Sequence, residues 1–243
     1  MKNNYKCYYY LIKDLLEVVY NSSKYYHNYP ACVAKSIEIR KDLEKCGIKF
    51  NVEIEPEVYG LEKPAVIISN HMSSLETFIL QGIFPKNIKC DYILKKELLN
   101  YPIFGKVLSV LQPIPITRKN PRLDYEIIIQ KAEKLFEQNV SLIVFPQGTR
   151  YHKVSPEQFS TIGVKLAKHY NVPVIPVALV TDAMKNGKYI KDFGKFDITK
   201  TVHFSVGKPF YVVNQKEALN LITKFIINKI KEWQRFDCLI NEE

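Results

Sequence analysis

The sequence predicts an α/β fold with a mostly parallel or mixed central sheet and an N-terminal helical appendage. Beyond residue 47, short apolar runs of strand length alternate with amphipathic stretches of helix length, which is typical of a sheet covered by helices. The 243 residues are 47% hydrophobic, so a domain of this size can bury a sizeable core. Residues 1–47 show only helical spacing, and we therefore divide the chain into an N-terminal segment, 1–47, and a main domain, 48–243.

The N-terminal segment is predicted to be helical over residues 5–46, with an interruption where Pro30 follows Tyr29. Gly47 stands where a helix C-cap glycine belongs. Eight tyrosines lie among lysines in the first thirty residues, a composition that favours a membrane interface. The alternative is a helix that packs on the domain and leaves its tyrosine hydroxyls at the rim.

The main domain is assigned element by element from apolar periodicity. Strands are predicted at 48–54, 65–68, 92–94, 114–117, 142–145, 174–180 and 202–206, the first of them alternating as an edge strand does. Helices are predicted at 74–81, 97–111, 121–138, 158–170 and 215–236. Ser73 or Ser74 is the expected N-cap of the first of these helices, and Pro121 suits the first turn of the third.

Basic residues exceed acidic ones, since 35 Lys and Arg against 25 Asp and Glu give a formal charge of +10. This excess indicates a polyanionic partner, either nucleic acid, an anionic membrane surface or an acidic substrate, with a solubilising surface as the alternative. No apolar run approaches the roughly 18 residues of a membrane-spanning helix, and no signal peptide is expected. Five scattered cysteines without a C-x-x-C pair predict reduced intracellular thiols and no metal site.

Two polar side chains follow the strand predicted at 65–68. His71 comes just past the strand end, and Glu76 falls in the first turn of the next helix. Their spacing does not place both on one helical face, so they meet only if His71 lies in an extended loop that folds back. A carboxylate bonded to one ring nitrogen would fix the tautomer and leave the other nitrogen to accept a proton. The alternative is an N-capping loop with an incidental histidine.

Basic side chains follow two further predicted strands. Arg118 ends the strand at 114–117, where a guanidinium fork suits a phosphate or carboxylate, although a solvated arginine is the plainer alternative. Gly148 and Arg150 follow the strand at 142–145, and the glycine allows main-chain N–H groups to approach a developing oxyanion. Active sites in open α/β sheets lie at such strand ends, so we expect the three loops to form one site.

Four segments, NHMSSLE, PIPITR, FPQGTR and VPVIPVAL, occur in the order of the four motifs of the lysophosphatidic acid acyltransferase (PlsC-like) family. The chain resembles these glycerolipid acyltransferases over residues 31–210, and LKKELLNYPIFG and VGKPF look like the intervening sequence of that family. The resemblance implies a glycerolipid-acyltransferase-like α/β sandwich with its catalytic domain over 48–243. It also implies acyl transfer from acyl-carrier protein or acyl-CoA to the free hydroxyl of a lysophospholipid, most simply 1-acylglycerol-3-phosphate, to give phosphatidic acid. No cofactor and no metal are implied.

The same resemblance implies a role for each motif residue. His71 would be the general base for the acceptor hydroxyl, and Glu76 would orient it and stabilise its cationic form. The hydroxyl would attack the thioester directly, without an acyl-enzyme. The other implied residues bind substrate: Lys95, Arg118 and Arg150 hold the acceptor phosphate, Gly148 and Thr149 shape the turn beside the reacting carbonyl, and residues 172–177 line the acyl or acceptor cleft.

Two positions depart from the usual motifs of this family. Glu76 replaces the commoner aspartate and keeps the carboxylate at a longer reach. Gln147 replaces the commoner glutamate and loses a charge, which leaves another lysolipid, an amino lipid or a glycolipid open as the acceptor.

A non-catalytic basic protein that binds lipid or nucleic acid is the alternative from another class. Nucleic acid is disfavoured, because no basic-aromatic repeat, recognition helix or zinc motif is present in the sequence. The combined expectation is an enzyme that lies on an anionic membrane surface at the cytoplasmic face. It would be peripheral or monotopic, with residues 1–47 as the membrane-associating segment and no spanning helix.

Overall fold

The computed structural model describes residues 2–187 and 193–240, with side chains described from residue 4. Its helices and strands follow one another as α1 (Lys2–Tyr20), α2 (Ser22–Tyr25), α3 (Tyr29–Lys45), β1 (Lys49–Ile54), β2 (Val66–Ser69), α4 (Leu75–Ile79), β3 (Lys89–Lys95), α5 (Phe104–Ser109), β4 (Ile114–Ile116), α6 (Pro121–Glu137), β5 (Val140–Val144), α7 (Ile162–Tyr170), β6 (Val174–Val180), β7 (Thr201–Val206) and α8 (Gln215–Glu232). This order confirms the predicted α/β class.

Within the described residues, seven strands form one sheet in the order β1-β7-β6-β2-β5-β3-β4. Neighbouring strands are parallel except for the antiparallel pair β6 and β7, so the prediction of a mostly parallel sheet is confirmed. β1 lies at one edge, as its alternating sequence predicted. β2, β5 and β6 are buried along their whole length, as expected for central strands covered by helices on both faces.

Two predicted helices begin well after the residue that their periodicity suggested, and the last helix, predicted to residue 236, ends at Glu232. The stretch 97–111 is a 3-10 helix over Lys96–Asn100 followed by α5, because Pro102 favours extended backbone at Tyr101, whose ψ is 134°. The stretch 158–170 becomes α-helical only at Ile162. Before it, Ser160 donates its backbone N–H to the carbonyl of Pro146 (3.0 Å), so this segment is tied to a neighbouring loop instead.

The N-terminal helices pack on the sheet domain and also expose aromatic rings. One face of α1 is buried through Cys7, Leu11 and Leu15, each at most 1% exposed. The other face exposes Tyr5 (72%) and Tyr9 (67%). The packed helix that the sequence left as an alternative is therefore present, and it leaves tyrosine rings as well as hydroxyls at the surface. Among the described residues, no helix has the length and apolar character needed to cross a membrane.

A buried lysine joins α1 to α3. The Lys35 ammonium lies 2.7 Å from Glu17 and 2.6 Å from Glu38, and 3.6 Å from the fully buried Asp14. Burial raises the pKa of Asp14 to about 6, against the opposing charge of Lys35. At the end of α3, Gly47 has a φ of +99°, which confirms it as a helix-terminating glycine.

Candidate active site

The carboxyl ends of β2, β3, β4 and β5 open onto one pocket of about 170 Å³. The strand register brings these ends together, because Ile68 pairs with Val144 and Lys95 pairs with Ile116. Of the seven residues that the sequence singled out, six line this pocket: His71, Lys95, Arg118, Gly148, Thr149 and Arg150. The seventh, Glu76, is fully buried directly behind His71.

His71 and Glu76 form a hydrogen-bonded pair. The Nδ1 atom of His71 lies 2.9 Å from Oε1 of Glu76, which reaches it from the first turn of α4. Since an ionised carboxylate only accepts, Nδ1 is the donor, and in the neutral imidazole this tautomer leaves Nε2 as the accepting nitrogen. The imidazole stacks on the ring of Phe145, with centroids 4.1 Å apart and planes 15° apart. The ring is therefore held in orientation and keeps one nitrogen able to accept a proton.

Both oxygens of the Glu76 carboxylate accept hydrogen bonds. Besides His71, Oε1 accepts from the backbone N–H groups of Met72 (2.6 Å) and Ser73 (2.9 Å). Oε2 accepts from the hydroxyls of Ser73 (2.9 Å) and Thr181 (2.6 Å). Burial alone would raise the pKa of Glu76, but these hydrogen bonds and the imidazole outweigh it and hold the pKa below its ordinary value. Glu76 is thus ionised at neutral pH beside the imidazole.

Thr181 is a site residue that sequence reasoning missed. It follows β6, which lies next to β2 in the sheet, so its hydroxyl meets the loop that carries His71. The sequence predicts Ser73 only as a helix cap, whereas its hydroxyl lies 2.9 Å from both Oε2 of Glu76 and the hydroxyl of Thr181. The available signal was a hydroxyl residue directly after a buried strand, the position that also marked the other loops.

The loop after β5 makes hydrogen bonds with both the backbone N–H and the backbone carbonyl of His71. Gln147 Oε1 accepts from the backbone N–H of His71 at 3.0 Å, and the N–H of Tyr151 donates to the carbonyl of His71 at 2.9 Å. Gln147 is only 8% exposed and is absent from the pocket lining. Its amide therefore supports the backbone of His71 from outside the pocket, and the link between Gln147 and the choice of acceptor stays a prediction.

Basic side chains line the pocket beside the imidazole. Arg118 lies close to Gly148, since its Nη1 is 3.9 Å from the place that a Cβ at Gly148 would occupy. The Arg150 guanidinium donates from Nη1 to the hydroxyl of Ser74, at the start of α4. Lys95 pairs with Glu97 and is 40% exposed at the end of β3. Lys95, Arg118 and Arg150 together suit a polyanionic group such as a phosphate monoester.

The turn at Gly148 differs from the sequence expectation in one respect. Gly148 has a φ of +71°, a conformation that favours glycine, and its N–H donates to the carbonyl of Phe145 at 3.1 Å. That N–H is therefore committed to the turn, and the expectation that main-chain N–H groups of this loop face a developing oxyanion stays a prediction for the rest of the loop. Thr149 follows on the pocket wall, where its side chain is exposed.

Apolar side chains form the other wall of the pocket. This wall consists of Tyr92, Ile93, Leu94, Leu98, Phe104, Leu108 and Phe145. The segment 172–177, expected to line the cleft, is absent from the lining because most of it belongs to β6, which is buried between β2 and β7. The pocket thus joins a basic wall and an apolar wall, with His71 between them.

Two groupings of the described side chains have donor atoms close enough together for a cation. One consists of His152, Asp182, Asp237 and Cys238, and the other of Asp14, Glu17 and Glu38. Arg235 bonds to both aspartates of the first, and Lys200 also pairs with Asp182. The Lys35 ammonium lies within 3.6 Å of all three carboxylates of the second. A basic side chain of the protein thus contacts each grouping, and neither belongs to the pocket lining.

Comparison with known proteins decides the family. The family model described as Acyltransferase matches residues 49–180, which is more than half of the chain and includes every pocket residue named above. The chain belongs to the Acyltransferase family.

Individual relatives agree with this assignment. The chain is 38% identical over 129 residues to 1-acyl-sn-glycerol-3-phosphate acyltransferase from Pseudomonas aeruginosa, covering 51% of this chain and 49% of the relative. It is 32% identical over 137 residues to the human 1-acyl-sn-glycerol-3-phosphate acyltransferase alpha, covering 54% and 48%. The matched part of the chain thus spans about half the length of these relatives.

A solved structure supports the fold across nearly the whole chain. The crystal structure of the 1-acyl-sn-glycerophosphate acyltransferase PlsC from Thermotoga maritima superposes with a TM-score of 0.59. It covers 92% of this chain and 95% of its own, at 18% identity. The likeness confirms the expected α/β fold.

Proposed function

We propose that the chain transfers an acyl group from a thioester, carried by acyl-carrier protein or coenzyme A, to 1-acylglycerol-3-phosphate, giving phosphatidic acid. The observation that carries the proposal is the His71–Glu76 pair, 2.9 Å apart, set in one pocket with Lys95, Arg118 and Arg150. A base alone would suit many hydrolases or transferases. A base facing clustered cations suits an acceptor that bears both a hydroxyl and a phosphate. The relatives named above point to the same acceptor.

The proposed reaction uses the tautomer that Glu76 imposes. Nε2 of His71 takes the proton from the acceptor hydroxyl while the hydroxyl oxygen attacks the thioester carbonyl. The carbonyl becomes a tetrahedral oxyanion, which collapses with loss of the carrier thiolate, and the imidazolium returns its proton to that sulfur. Glu76, held ionised by its hydrogen bonds, stabilises the imidazolium between these two transfers. No acyl-enzyme forms, and no group outside the chain is needed to balance the protons.

The two walls of the pocket divide the acceptor and donor between them. The guanidinium forks of Arg118 and Arg150 bind phosphate oxygens by charge-assisted hydrogen bonds, and Lys95 adds a third positive charge. Phe104 and Leu108 on the opposite wall accept acyl methylenes, whose transfer from water is favourable.

The proposal is tested by acyl transfer with the purified chain. Lysophosphatidic acid, a lysolipid with a choline headgroup and uncharged monoacylglycerol are compared as acceptors, with acyl-CoA and acyl-carrier protein as donors and mass spectrometry of the product. We expect phosphatidic acid as the main product. Equal rates with monoacylglycerol would contradict the proposed phosphate site. Absence of transfer to any acceptor would contradict the enzymatic function and favour a non-catalytic binding protein.

The basic wall makes a sharper prediction for the same assay. Arg150→Gln is expected to raise the KM for lysophosphatidic acid by about 10- to 100-fold, since a hydrogen bond to a charged group contributes about 1.5–3 kcal/mol. The KM for acyl-CoA should change much less. Arg122→Gln is the matched control, because this side chain is 92% exposed on the first turn of α6 and lies outside the pocket lining. A rise in the acyl-CoA KM alone would reassign Arg150 to the donor.

We further propose that the enzyme works on an anionic membrane surface at the cytoplasmic face, with residues 1–47 as the membrane-associating segment. The support is the outer face of α1, where Tyr5, Tyr9 and Tyr20 are 72%, 67% and 81% exposed at helical spacing. Exposed aromatic rings beside lysines suit a lipid interface, and the formal charge of +10 suits anionic headgroups.

Replacing the three tyrosines tests this placement without disturbing the core. The variant Tyr5→Ser, Tyr9→Ser, Tyr20→Ser should bind anionic vesicles about tenfold more weakly in flotation, since three rings contribute more than about 1.4 kcal/mol together. Deleting α1 would not be informative, because its other face is buried in the core. Tyr59→Ser with Tyr211→Ser is the matched control, as both rings are exposed outside the N-terminal helices. Equal losses in the two variants would contradict the proposal.

A further inference from the structure

The backbone of Arg118 adopts a conformation that its own side chain disfavours. Its φ is +60°, in the left-handed region where a Cβ crowds the following carbonyl and where glycine is the usual residue. Residues held in such conformations need surrounding structure that fixes them. Arg118 follows β4, a three-residue strand at the edge of the sheet that pairs with β3, so the sheet supports this turn from one side.

The support comes from Asp124. One carboxylate oxygen, Oδ1, accepts from the backbone N–H of Thr117 at 2.8 Å and from its hydroxyl at 3.1 Å. The other oxygen, Oδ2, accepts from the backbone N–H of Arg118 at 2.6 Å. The backbone N–H groups of Thr117 and Arg118 thus both donate to one carboxylate, and such charge-assisted bonds are the strong ones. Asp124 is only 4% exposed.

Asp124 is itself fixed by the helix that carries it. It lies in the first turn of α6, whose inner face is buried through Ile128, Ala132 and Leu135. The helix does not need this carboxylate as a cap, because the Asn120 side chain accepts from the backbone N–H of Leu123 at 3.2 Å. The carboxylate of Asp124 is therefore directed back at the turn after β4.

The turn after β4 places the side chain of Arg118 in the pocket. Arg118 lines the pocket, with Nη1 near Gly148, whereas Asp124 is absent from the lining and does not face the acceptor. We propose that Asp124 is a positioning residue, which holds Arg118 in the left-handed conformation and thereby presents its guanidinium to the anionic headgroup of the acceptor. This inference rests on the proposed function, because it takes Arg118 as a ligand of the phosphate.

The proposal predicts an effect on acceptor binding. In Asp124→Asn, the amide keeps one accepting oxygen but turns its NH₂ group toward one of the two backbone N–H donors. One of the two backbone hydrogen bonds from Thr117 and Arg118 to this side chain is therefore lost. The KM for lysophosphatidic acid should rise about tenfold or more, while kcat stays within about twofold, since a positioned charged hydrogen bond is weakened and His71 is untouched. Glu126→Gln is the matched control, because this carboxylate is exposed on the same helix, paired with Arg122.

A double-mutant cycle separates positioning from a general structural role. If Asp124 acts through Arg118, Asp124→Asn should raise the acceptor KM less than about twofold in an Arg118→Gln background. An undiminished rise in that background would overturn the proposal. Thr117→Val removes one hydroxyl donor to the carboxylate and should give a smaller rise of the same kind, which keeps the test open if Asp124→Asn folds poorly. An unchanged acceptor KM in both Asp124→Asn and Thr117→Val would also overturn it.

A binding measurement distinguishes failure of this inference from failure of the proposed function. If the wild-type chain transfers no acyl group to lysophosphatidic acid, the proposed function is wrong. The positioning role of Asp124 is then tested through the affinity for sn-glycerol 3-phosphate, measured by calorimetry. Asp124→Asn and Arg118→Gln should each weaken this affinity, and the double variant should weaken it by less than the sum of the two single effects. Unchanged affinity in Asp124→Asn, with weakened affinity in Arg118→Gln, would overturn the positioning role alone.

Discussion

Replacing His71 by alanine is expected to lower kcat for acyl transfer to lysophosphatidic acid by about 10²- to 10⁴-fold, the usual range for loss of a positioned general base. The acceptor hydroxyl would then have no partner for its proton while it attacks the thioester. The acceptor KM should change little, because the phosphate is assigned to the side chains of Arg118 and Arg150 and not to the imidazole. Single-turnover kinetics with acyl-CoA would separate the chemical step from product release.

A second histidine provides the control for this result. His169→Ala removes an exposed imidazole at the end of α7, outside the pocket lining, and should leave kcat unchanged. Thermal unfolding of His71→Ala should remain cooperative, since the ring contacts Phe145 and Glu76 but the loop is also held through backbone bonds to Gln147 and Tyr151. Full kcat in a folded His71→Ala variant would refute the proposed base.

Glu76→Gln is expected to weaken both folding and catalysis. The carboxylate accepts five hydrogen bonds from the described residues, whereas a glutamine offers one accepting oxygen and directs its NH₂ at other donors. Removing one partner from such a buried charged cluster costs about 3–5 kcal/mol of unfolding free energy. With the wrong hydrogen-bonding partner at Nδ1, the imidazole also loses the tautomer that the reaction needs, so kcat should fall by about 10²-fold or more.

The pH dependence of this loss has a definite sign. The folded-state pKa of Glu76 is lower than its ordinary value of 4.5, so the carboxylate contributes stability that is present above pH 4.5 and lost as the pH falls through the folded-state pKa. The difference in unfolding free energy between wild type and Glu76→Gln should therefore be constant near neutral pH and shrink below about pH 4.5. Urea titrations at several pH values measure it, with Glu137→Gln on the exposed side of α6 as the control. A difference that stays constant down to pH 3 would contradict the linkage.

Strand positions were predictable because buried strands have a simple apolar signature. The run 174–180 coincides with β6, and the other strands agree within one to three residues at each end. Helix starts were harder to predict, since the turn at Tyr101 and the link from Ser160 to Pro146 depend on neighbouring chain that periodicity does not include.

The meaning of the tyrosines also depended on the structure. Tyrosine and lysine at helical spacing fit a membrane surface and a protein surface equally well, because both favour an amphipathic helix. In the fold, Tyr25 and Tyr29 are 2% and 6% exposed, whereas Tyr5, Tyr9 and Tyr20 face outward. The same residue type is therefore buried at some positions and exposed at others, and only the packing of α1 and α3 separates the two sets.

The sequence by itself determined the α/β class, the family motifs and the residue types of the pocket, because strand ends carry polar side chains at short and readable spacings. The tertiary structure decided which groups support them. Thr181 reaches Glu76 and Gln147 reaches His71 only because parallel strands far apart in the chain end side by side. Asp124 reaches Arg118 because α6, packed on the sheet through its buried face, returns its first turn to the sheet edge. Hydrogen bonds between residues 76 and 105 positions apart leave no periodic pattern in the sequence, because only the folded chain brings the two partners together.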